Sequence, residues 1–356
     1  MKKVRLGIIG CGGIAQAHCN AMRQVEGVEI VAQCDIIPER AESTAKRWSL
    51  PMLVFKDYGE MLQKVDMDGV IVTTPTAVHG APAIAALRAG KHVLCEKPME
   101  ASLEMATGMV RASHEAKKIL MVALKLRYTP QVVKAREIVQ AGTLGDIYYA
   151  ECVADRRRGN PGGSFIKKAE AGFGAVGDIG VYALDTALYL MGHPKPVAVC
   201  GIVSNTLSVN NTWNDSLRAT EVDDFACGWV IFENGARLVF KTCWCMHMDT
   251  LGGTFFLGTK AGLRIGVGEV TGPGEGVSIY RDEFREPTNI KIPVAGEVDV
   301  FKAEDTAFVD AVRHNKPSPI NPDGILMTNV IFQGVVDSAA AGGREVKVNF
   351  PSFDTL

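Results

Sequence analysis

The chain has 356 residues, with 38 Lys and Arg against 40 Asp and Glu, a formal charge of -2 and 47% hydrophobic residues. At roughly 100–200 residues per domain this length points to two domains, and balanced charge leaves no field for nucleic acid or an anionic membrane. The apolar content also argues against low-complexity disorder.

The chain opens Met1-Lys2-Lys3, but the apolar run that follows is short and ends in glycines, so no signal peptide is expected. No run of about 18 apolar residues suggests a membrane span. The nine cysteines are an odd number without a CxxC pair. Reduced thiols in a cytoplasmic protein are the expectation. Val4–Ile9, Val28–Cys34, Gly69–Thr73, His92–Cys95 and Leu120–Leu124 are short, nearly continuous apolar runs, as in buried parallel strands. Ile14–Val25, Pro38–Trp48, Ala81–Ala89 and Leu103–Ala116 have helical spacing between them. Pro82 suits a first helical turn and Gly90 a C-terminal cap. Repeated βα units predict an α/β fold, a doubly wound parallel sheet with right-handed crossovers, over residues 1–125.

Past that point the pattern changes. A helix over Pro130–Ala141 precedes alternating runs at Ile147–Ala154, Val197–Val203, Phe225–Phe232, Arg237–His247, Thr254–Leu257 and Val277–Tyr280. Asn234-Gly235 is a hairpin turn between two of them. Helices are expected at Gly180–Met191, Glu304–His314 and Gly324–Ala341. Residues 126–356 thus read as an α+β domain with a large, mostly antiparallel sheet open on one face.

Gly10-Cys11-Gly12-Gly13-Ile14-Ala15 lies between the first strand and the first helix and matches GxGxxG/A. Such a turn lets backbone approach a pyrophosphate and places it at a helix N-terminus. Asp35 closes the second strand about twenty residues on, where a carboxylate holds the adenosine ribose diol and repels a 2′-phosphate. Ile36-Ile37 supplies no adjacent cation, although Arg40 is near. NAD is therefore expected ahead of NADP.

Of two further segments, Thr73-Thr74-Pro75-Thr76-Ala77-Val78-His79 ends the strand at Gly69–Thr73, and Gly90-Lys91-His92-Val93-Leu94-Cys95-Glu96-Lys97-Pro98 covers the next. Together with the glycine turn they resemble the Gfo/Idh/MocA oxidoreductases, which include glucose–fructose oxidoreductase and inositol dehydrogenases. Gly172-Phe173-Gly174-Ala175-Val176-Gly177-Asp178-Ile179-Gly180 resembles that family's loop entering a helix. The resemblance implies an NAD-dependent dehydrogenase acting on a secondary hydroxyl of a sugar, cyclitol or related polyol. It implies cofactor contacts from Gly10, Gly12, Gly13, Ile14, Asp35, Arg40, Thr74, Pro75, Thr76, His79, Glu96, Lys97 and Arg127.

Hydride transfer needs a group that takes the hydroxyl proton and donors that hold the oxygen. Lys97 stands at the carboxyl end of a central strand, where open α/β sheets bind ligands. The resemblance makes it catalytic and its bond to Pro98 cis. Burial and cofactor charge would lower its pKa usefully. Asp178 and Tyr182 are four apart, which on one helix places them on the same side. The family commonly carries histidine where Tyr182 stands. A phenol, with a pKa near 10, is a poor base unless a cation such as Lys97 is beside it. Lys97 and Tyr182 are therefore expected to share the proton while Asp178 orients the hydroxyl or the lysine. Lys125, Arg157 and Asp185 complete the expected substrate set with these three. Arg157 lies in a basic loop, Arg156-Arg157-Arg158, whose guanidinium groups suit bidentate contacts or a solvated surface.

Cys243, Cys245 and His247 alternate as same-face residues of a strand, but no fourth ligand accompanies them, and no metal site is expected. Glu221, Asp223 and Asp224 read as a loop and strand start, and His18 and His193 as structural. By resemblance the chain is a homodimer or homotetramer paired through the open face of its second sheet, including Phe240 and Trp244. Two other functions share this sequence pattern: glycoside cleavage by transient oxidation and elimination, and a non-enzymatic cofactor-sensing regulator. A sensor has no need of Lys97, Asp178 and Tyr182 together.

Overall fold

The computed structural model describes residues 3–51, 53–266, 276–294 and 296–351, so the Met1-Lys2 start lies outside it. In chain order the elements are β1 (Val4–Ile9), α1 (Gly13–Met22), β2 (Val28–Cys34), α2 (Pro38–Trp48), β3 (Val54–Phe55), α3 (Tyr58–Lys64), β4 (Gly69–Val72), α4 (Gly80–Arg88), β5 (His92–Cys95), α5 (Leu103–Ala116) and β6 (Leu120–Val122). Next come α6 (Pro130–Gln140), β7 (Ile147–Asp155), α7 (Lys168–Ala171), α8 (Ala175–Asp178), α9 (Gly180–Met191), β8 (Pro196–Ser204), α10 (Thr206–Val209), β9 (Phe225–Phe232) and β10 (Arg237–Cys243). The remainder are β11 (Thr254–Gly258), β12 (Gly262–Ile265), β13 (Val277–Glu283), β14 (Glu286–Ile292), α11 (Val300–His314), α12 (Pro322–Ala340) and β15 (Val346–Lys347).

The chain forms two compact units. Among the described residues one runs to Lys125 and takes in Asp299–Leu326; the other holds Leu126–Val298 and residues 327–351. The expected division at residues 125 and 126 was continuous to the C-terminus, whereas α11 returns to the first unit. Its apolar side, with Phe308 and Val309 buried, packs on α1 and β1.

In the first unit six parallel strands lie in the order β3-β2-β1-β4-β5-β6. Val70, Ile71, Val72, Val93 and Leu94 have no exposed surface, because helices cover both faces of a parallel sheet. Helix boundaries follow local chemistry. Pro38 starts α2, Ser102 accepts the Met105 N–H at the head of α5, and Gly90 follows α4 with φ of +74°. The strand order reverses between β1 and β4, which opens a crevice at their carboxyl ends.

In the second unit nine strands lie in the order β14-β13-β12-β11-β7-β10-β9-β8-β15. Among the described residues only the β7–β10 pair is parallel; the other ladders are antiparallel. Alternation sorts the faces. Leu238, Phe240 and Thr242 of β10 are buried, while Arg237, Val239 and Lys241 between them face outward. Helix α9, buried along most of its length, packs against β7 and β10. Phe240 and Trp244, expected on the open face, are 1% and 0% exposed and lie inside this chain's own core. The open face carries Trp229, Leu257 and Tyr280 instead, and a pocket of about 350 Å³ lined by Phe255, Leu257, Arg264 and Tyr280. The run expected through His247 leaves the ladder after Cys243. Cys243 and Cys245 are buried within the fold, and His247 is exposed.

Among the described residues no helix is long and apolar enough to cross a membrane.

Candidate active site

Four strand ends of the first sheet place the predicted cofactor residues in one row, because β2, β1, β4 and β5 are neighbours. Gly10 follows β1, Asp35 follows β2, Thr74 lies just past β4, and Lys97 lies just past β5. Ladder bonds continue to the last of these positions: Gly10 N–H donates to Cys34 O at 2.8 Å and Glu96 N–H to Val72 O at 2.9 Å.

The turn itself needs glycine. Gly10 has φ of +91°, and a Cβ there would stand 2.7 Å from Thr73 and Thr74 backbone atoms. Gly12 and Gly13 differ: among the described residues, beyond their own chain neighbours and helix backbone, nothing lies within 4 Å of where their Cβ atoms would stand. Gly12 is the N-cap of α1, with no side-chain cap and no acidic residue in the first turn. With no side-chain cap among the described residues, the first N–H groups of that helix and its dipole form an anion cradle. Ile14 lies half-buried in the same turn.

Asp35 is buried, and its two oxygens are fixed by separate backbone donors. Cys11 N–H reaches Oδ2 at 2.8 Å and Ile37 N–H reaches Oδ1 at 2.9 Å. A carboxylate has about four acceptor positions, so two remain for a diol. Arg40 is exposed in the first turn of α2. The cradle, the fixed carboxylate and the open space before Gly12 and Gly13 fit a dinucleotide.

The neighbouring loop is held from within. His79 is 1% exposed; its Nε2 meets Thr74 O at 2.8 Å and its Nδ1 meets Pro98 O at 2.9 Å. Both nitrogens are thus spent on backbone, so His79 ties the Thr74-Pro75-Thr76 loop to the lysine segment rather than offering a donor to a cofactor. Glu100 caps the same junction, accepting from Gly80 N–H and Ala101 N–H. The Lys97–Pro98 bond is cis. Lys97 is half-buried, and its N–H donates to Glu96 Oε2 at 2.9 Å. Lys125 places Nζ 4.2 Å from the centre of the Phe301 ring, a cation–π contact.

In the second unit the glycine-rich loop leads into α8 and α9. Asp178 ends α8, Ile179 breaks the turn at φ −106° and ψ −30°, and Tyr182 lies in the first turn of α9. The two residues therefore occupy successive helices, not one continuous helix. Trp244, missed in the sequence as a site residue, donates its indole N–H to Asp178 Oδ2 at 2.9 Å. Asp223 was also missed. It accepts Gly174 N–H at 2.7 Å and Val176 N–H at 2.8 Å, capping α8 and so placing Asp178. Burial pushes the Asp223 carboxyl up to about 6, against the opposing pull of those backbone donors. A Cβ at Gly174 would collide with the Asp223 carbonyl oxygen at 1.8 Å, which is why glycine stands there.

Arg127 and Asp185 come together, but with each other. Nε donates to Oδ2 at 2.9 Å and Nη2 to Oδ1 at 2.6 Å, with Asp185 only 2% exposed. The carboxylate expected to face substrate, and the guanidinium expected to face cofactor, are spent on this pair. Arg157 is exposed and pairs with Asp249, while Arg158 stacks 4.1 Å over Trp213. No group of three or more His, Cys, Asp or Glu among the described residues is arranged to hold a metal ion.

Residues 4–124 match the oxidoreductase family GFO/IDH/MocA, NAD-binding Rossmann fold, and residues 132–264 match the GFO/IDH/MocA C-terminal domain. The chain is 31% identical to D-glucoside 3-dehydrogenase of Escherichia coli over 272 residues, 74% of this chain and 77% of that protein. It is 30% identical to inositol 2-dehydrogenase of Salmonella typhimurium over 144 residues, spanning less than half of that protein at 43%, and 40% of this chain. The solved structure of levoglucosan dehydrogenase in complex with NADH superposes with a TM-score of 0.83 at 23% identity, covering 98% of this chain and 100% of that one.

Proposed function

The chain belongs to the GFO/IDH/MocA family of NAD-binding oxidoreductases, and we propose that it moves a hydride between nicotinamide and a secondary hydroxyl or ketone of a sugar or cyclitol. One observation supports this reading: the uncapped glycine turn, the fixed Asp35 carboxylate and Lys97 follow the carboxyl ends of strands β1, β2 and β5 of the parallel sheet. Bound NAD supplies the hydride acceptor or donor. Gly12, Gly13 and the first turn of α1 hold the pyrophosphate, and Asp35 takes the ribose hydroxyls. That carboxylate disfavours a 2′-phosphate, so NAD is preferred to NADP.

Lys97 and Tyr182 handle the hydroxyl proton in this scheme. Asp178, fixed by the Trp244 indole and by the Asp223 cap on α8, orients the hydroxyl. Lys125, Arg157 and the proton-handling residues complete the polyol contacts. The test is NAD+ reduction with a panel of sugars, glycosides and inositols. Turnover with at least one class supports the reading. Binding of NADH without turnover on any of them overturns it in favour of a sensor, and release of p-nitrophenol from nitrophenyl glycosides without NADH accumulation marks oxidation–elimination chemistry instead.

We also propose that two copies pair through the open face of the nine-stranded sheet. Ile202, Trp229, Leu257 and Tyr280 are 49%, 47%, 37% and 39% exposed and share that face by register. Exposed large apolar side chains gathered on one sheet face, here on either side of the Lys241–Glu151 ion pair, mark an interaction surface. Light scattering should give a dimer or tetramer, and Trp229→Glu should shift it toward monomer. A wild-type monomer would contradict the pairing.

A further inference from the structure

A buried cluster of titratable side chains in the first unit is joined to Lys97 through Glu96. His18, on α1, has no exposed surface, and each ring nitrogen faces a carboxylate: Nδ1 is 2.9 Å from Asp305 Oδ1 and Nε2 is 3.2 Å from Glu96 Oε1. Glu96 spends its other oxygen on the Lys97 N–H. Asp305 comes from α11, as do Phe301, whose ring meets the imidazole edge-on at 5.7 Å, and Glu304. One ring thus joins three pieces of chain: the helix that follows the glycine turn, the lysine segment and the returning helix α11.

Burial and the facing charges pull the members of the cluster in different directions. Burial works against a charged imidazole, yet the facing carboxylates of Asp305 and Glu96 outweigh it and hold His18 well above the ordinary histidine range. Burial likewise works against the Glu96 carboxylate, but His18 and Lys97 keep it below its ordinary value. Asp305 is raised by burial in spite of His18. Glu304 goes furthest: burial lifts it well above the carboxylate range, with His18 and Lys125 opposing, and neither of its oxygens meets a donor among the described residues. The cluster is therefore a histidine ring held between two carboxyl groups, beside a third carboxyl that has no donor among the described residues. A ring bonded at both nitrogens cannot turn without breaking two buried hydrogen bonds, which is what makes it a rigid strut.

We propose that His18 is a positioning residue for Lys97, acting through Glu96 to fix the backbone from which the amine projects and to tie it to the helix of the cofactor turn. The proposal rests on the reading of Lys97 as the proton-handling amine. Neither His18 nor Asp305 touches the reacting groups; they act through the Glu96 carboxylate.

The test uses full-length His18→Gln and Asp305→Asn. Glutamine donates to only one of the two carboxylates, whereas asparagine keeps the acceptor for Nδ1 and removes the charge. Competitive acetylation with trace acetic anhydride, read by mass spectrometry, measures the reactivity of Lys97 against Lys91 and Lys118 as internal references. The expected result is a selective change at Lys97, and where the wild type turns over a polyol, a kcat lowered by about 10²-fold with NADH affinity retained. If His18→Gln does not fold, Asp305→Asn decides alone, with a smaller change in the same direction. Wild-type Lys97 reactivity in the folded variants would overturn the proposal. A wild type with no turnover would defeat the functional reading and leave the labelling result to decide the positioning role.

Discussion

Lys97→Met is expected to lower polyol-dependent NAD+ reduction by about 10²–10⁴-fold, the range for removing a positioned acid–base group. That corresponds to about 3–5 kcal/mol of transition-state stabilisation. Methionine matches the length of the lysine stem and keeps its packing, so the half-buried position past β5 stays filled. Lys97→Arg separates proton transfer from charge. Arginine keeps the cation but cannot give up its proton in this pH range. If both variants lose kcat while still binding NADH, the amine acts as an acid–base group. If Lys97→Arg retains turnover, charge alone suffices, and if Lys97→Met does, the assignment of Lys97 fails.

The sequence made the first unit legible because its signals are local. Five of the parallel strands are apolar runs set between helices, and β1, β2 and β5 match the expected bounds. What escaped was short or solvent-facing. The two-residue strand β3 has no periodicity to read, although the helix after it carries a cap visible in sequence: Asp57 accepts Glu60 N–H at 2.8 Å. Strand β14 turns only Thr288, Ile290 and Ile292 to its half-buried side, an apolar alternation of two residues too short to identify it.

The candidate site divides along the same line. Glycine turn, ribose carboxylate and lysine follow their strands directly, so spacing located them. Trp244 was assigned to the wrong face although the charges of Arg237 and Lys241 already marked which side of β10 meets water. Residue spacing is silent on partners distant in sequence. Nothing near Asp185 announces that Arg127 occupies both of its oxygens, and nothing near Glu96 announces Asp305 of α11 behind His18.

The Arg127–Asp185 pair gives the second large expected effect, on stability. Arg127→Met leaves a carboxylate that is 2% exposed without its two charge-assisted bonds, and removing one partner of a buried pair costs about 3–5 kcal/mol. At about 2–4 °C per kcal/mol for a unit of this size, the Tm should fall by roughly 6–20 °C. The double variant Arg127→Met/Asp185→Leu should recover most of that loss, because replacing both charges with apolar groups removes the desolvation penalty as well. His193 reports the same change independently. Its Nε2 lies 3.3 Å from Arg127 Nη2, and burial with the guanidinium lowers it to about 4. With a folded value below the unfolded one, His193 binds fewer protons in the native state. It therefore costs stability as pH falls through the window between about 6.5 and about 4, and nothing further below it. In Arg127→Met the guanidinium is gone and the Asp185 carboxylate stays, so the His193 resonance should titrate at a higher pH and this acid-side loss should shrink. A Tm and a His193 titration both unchanged in Arg127→Met would mean that the pair does not hold α9 to the turn preceding α6.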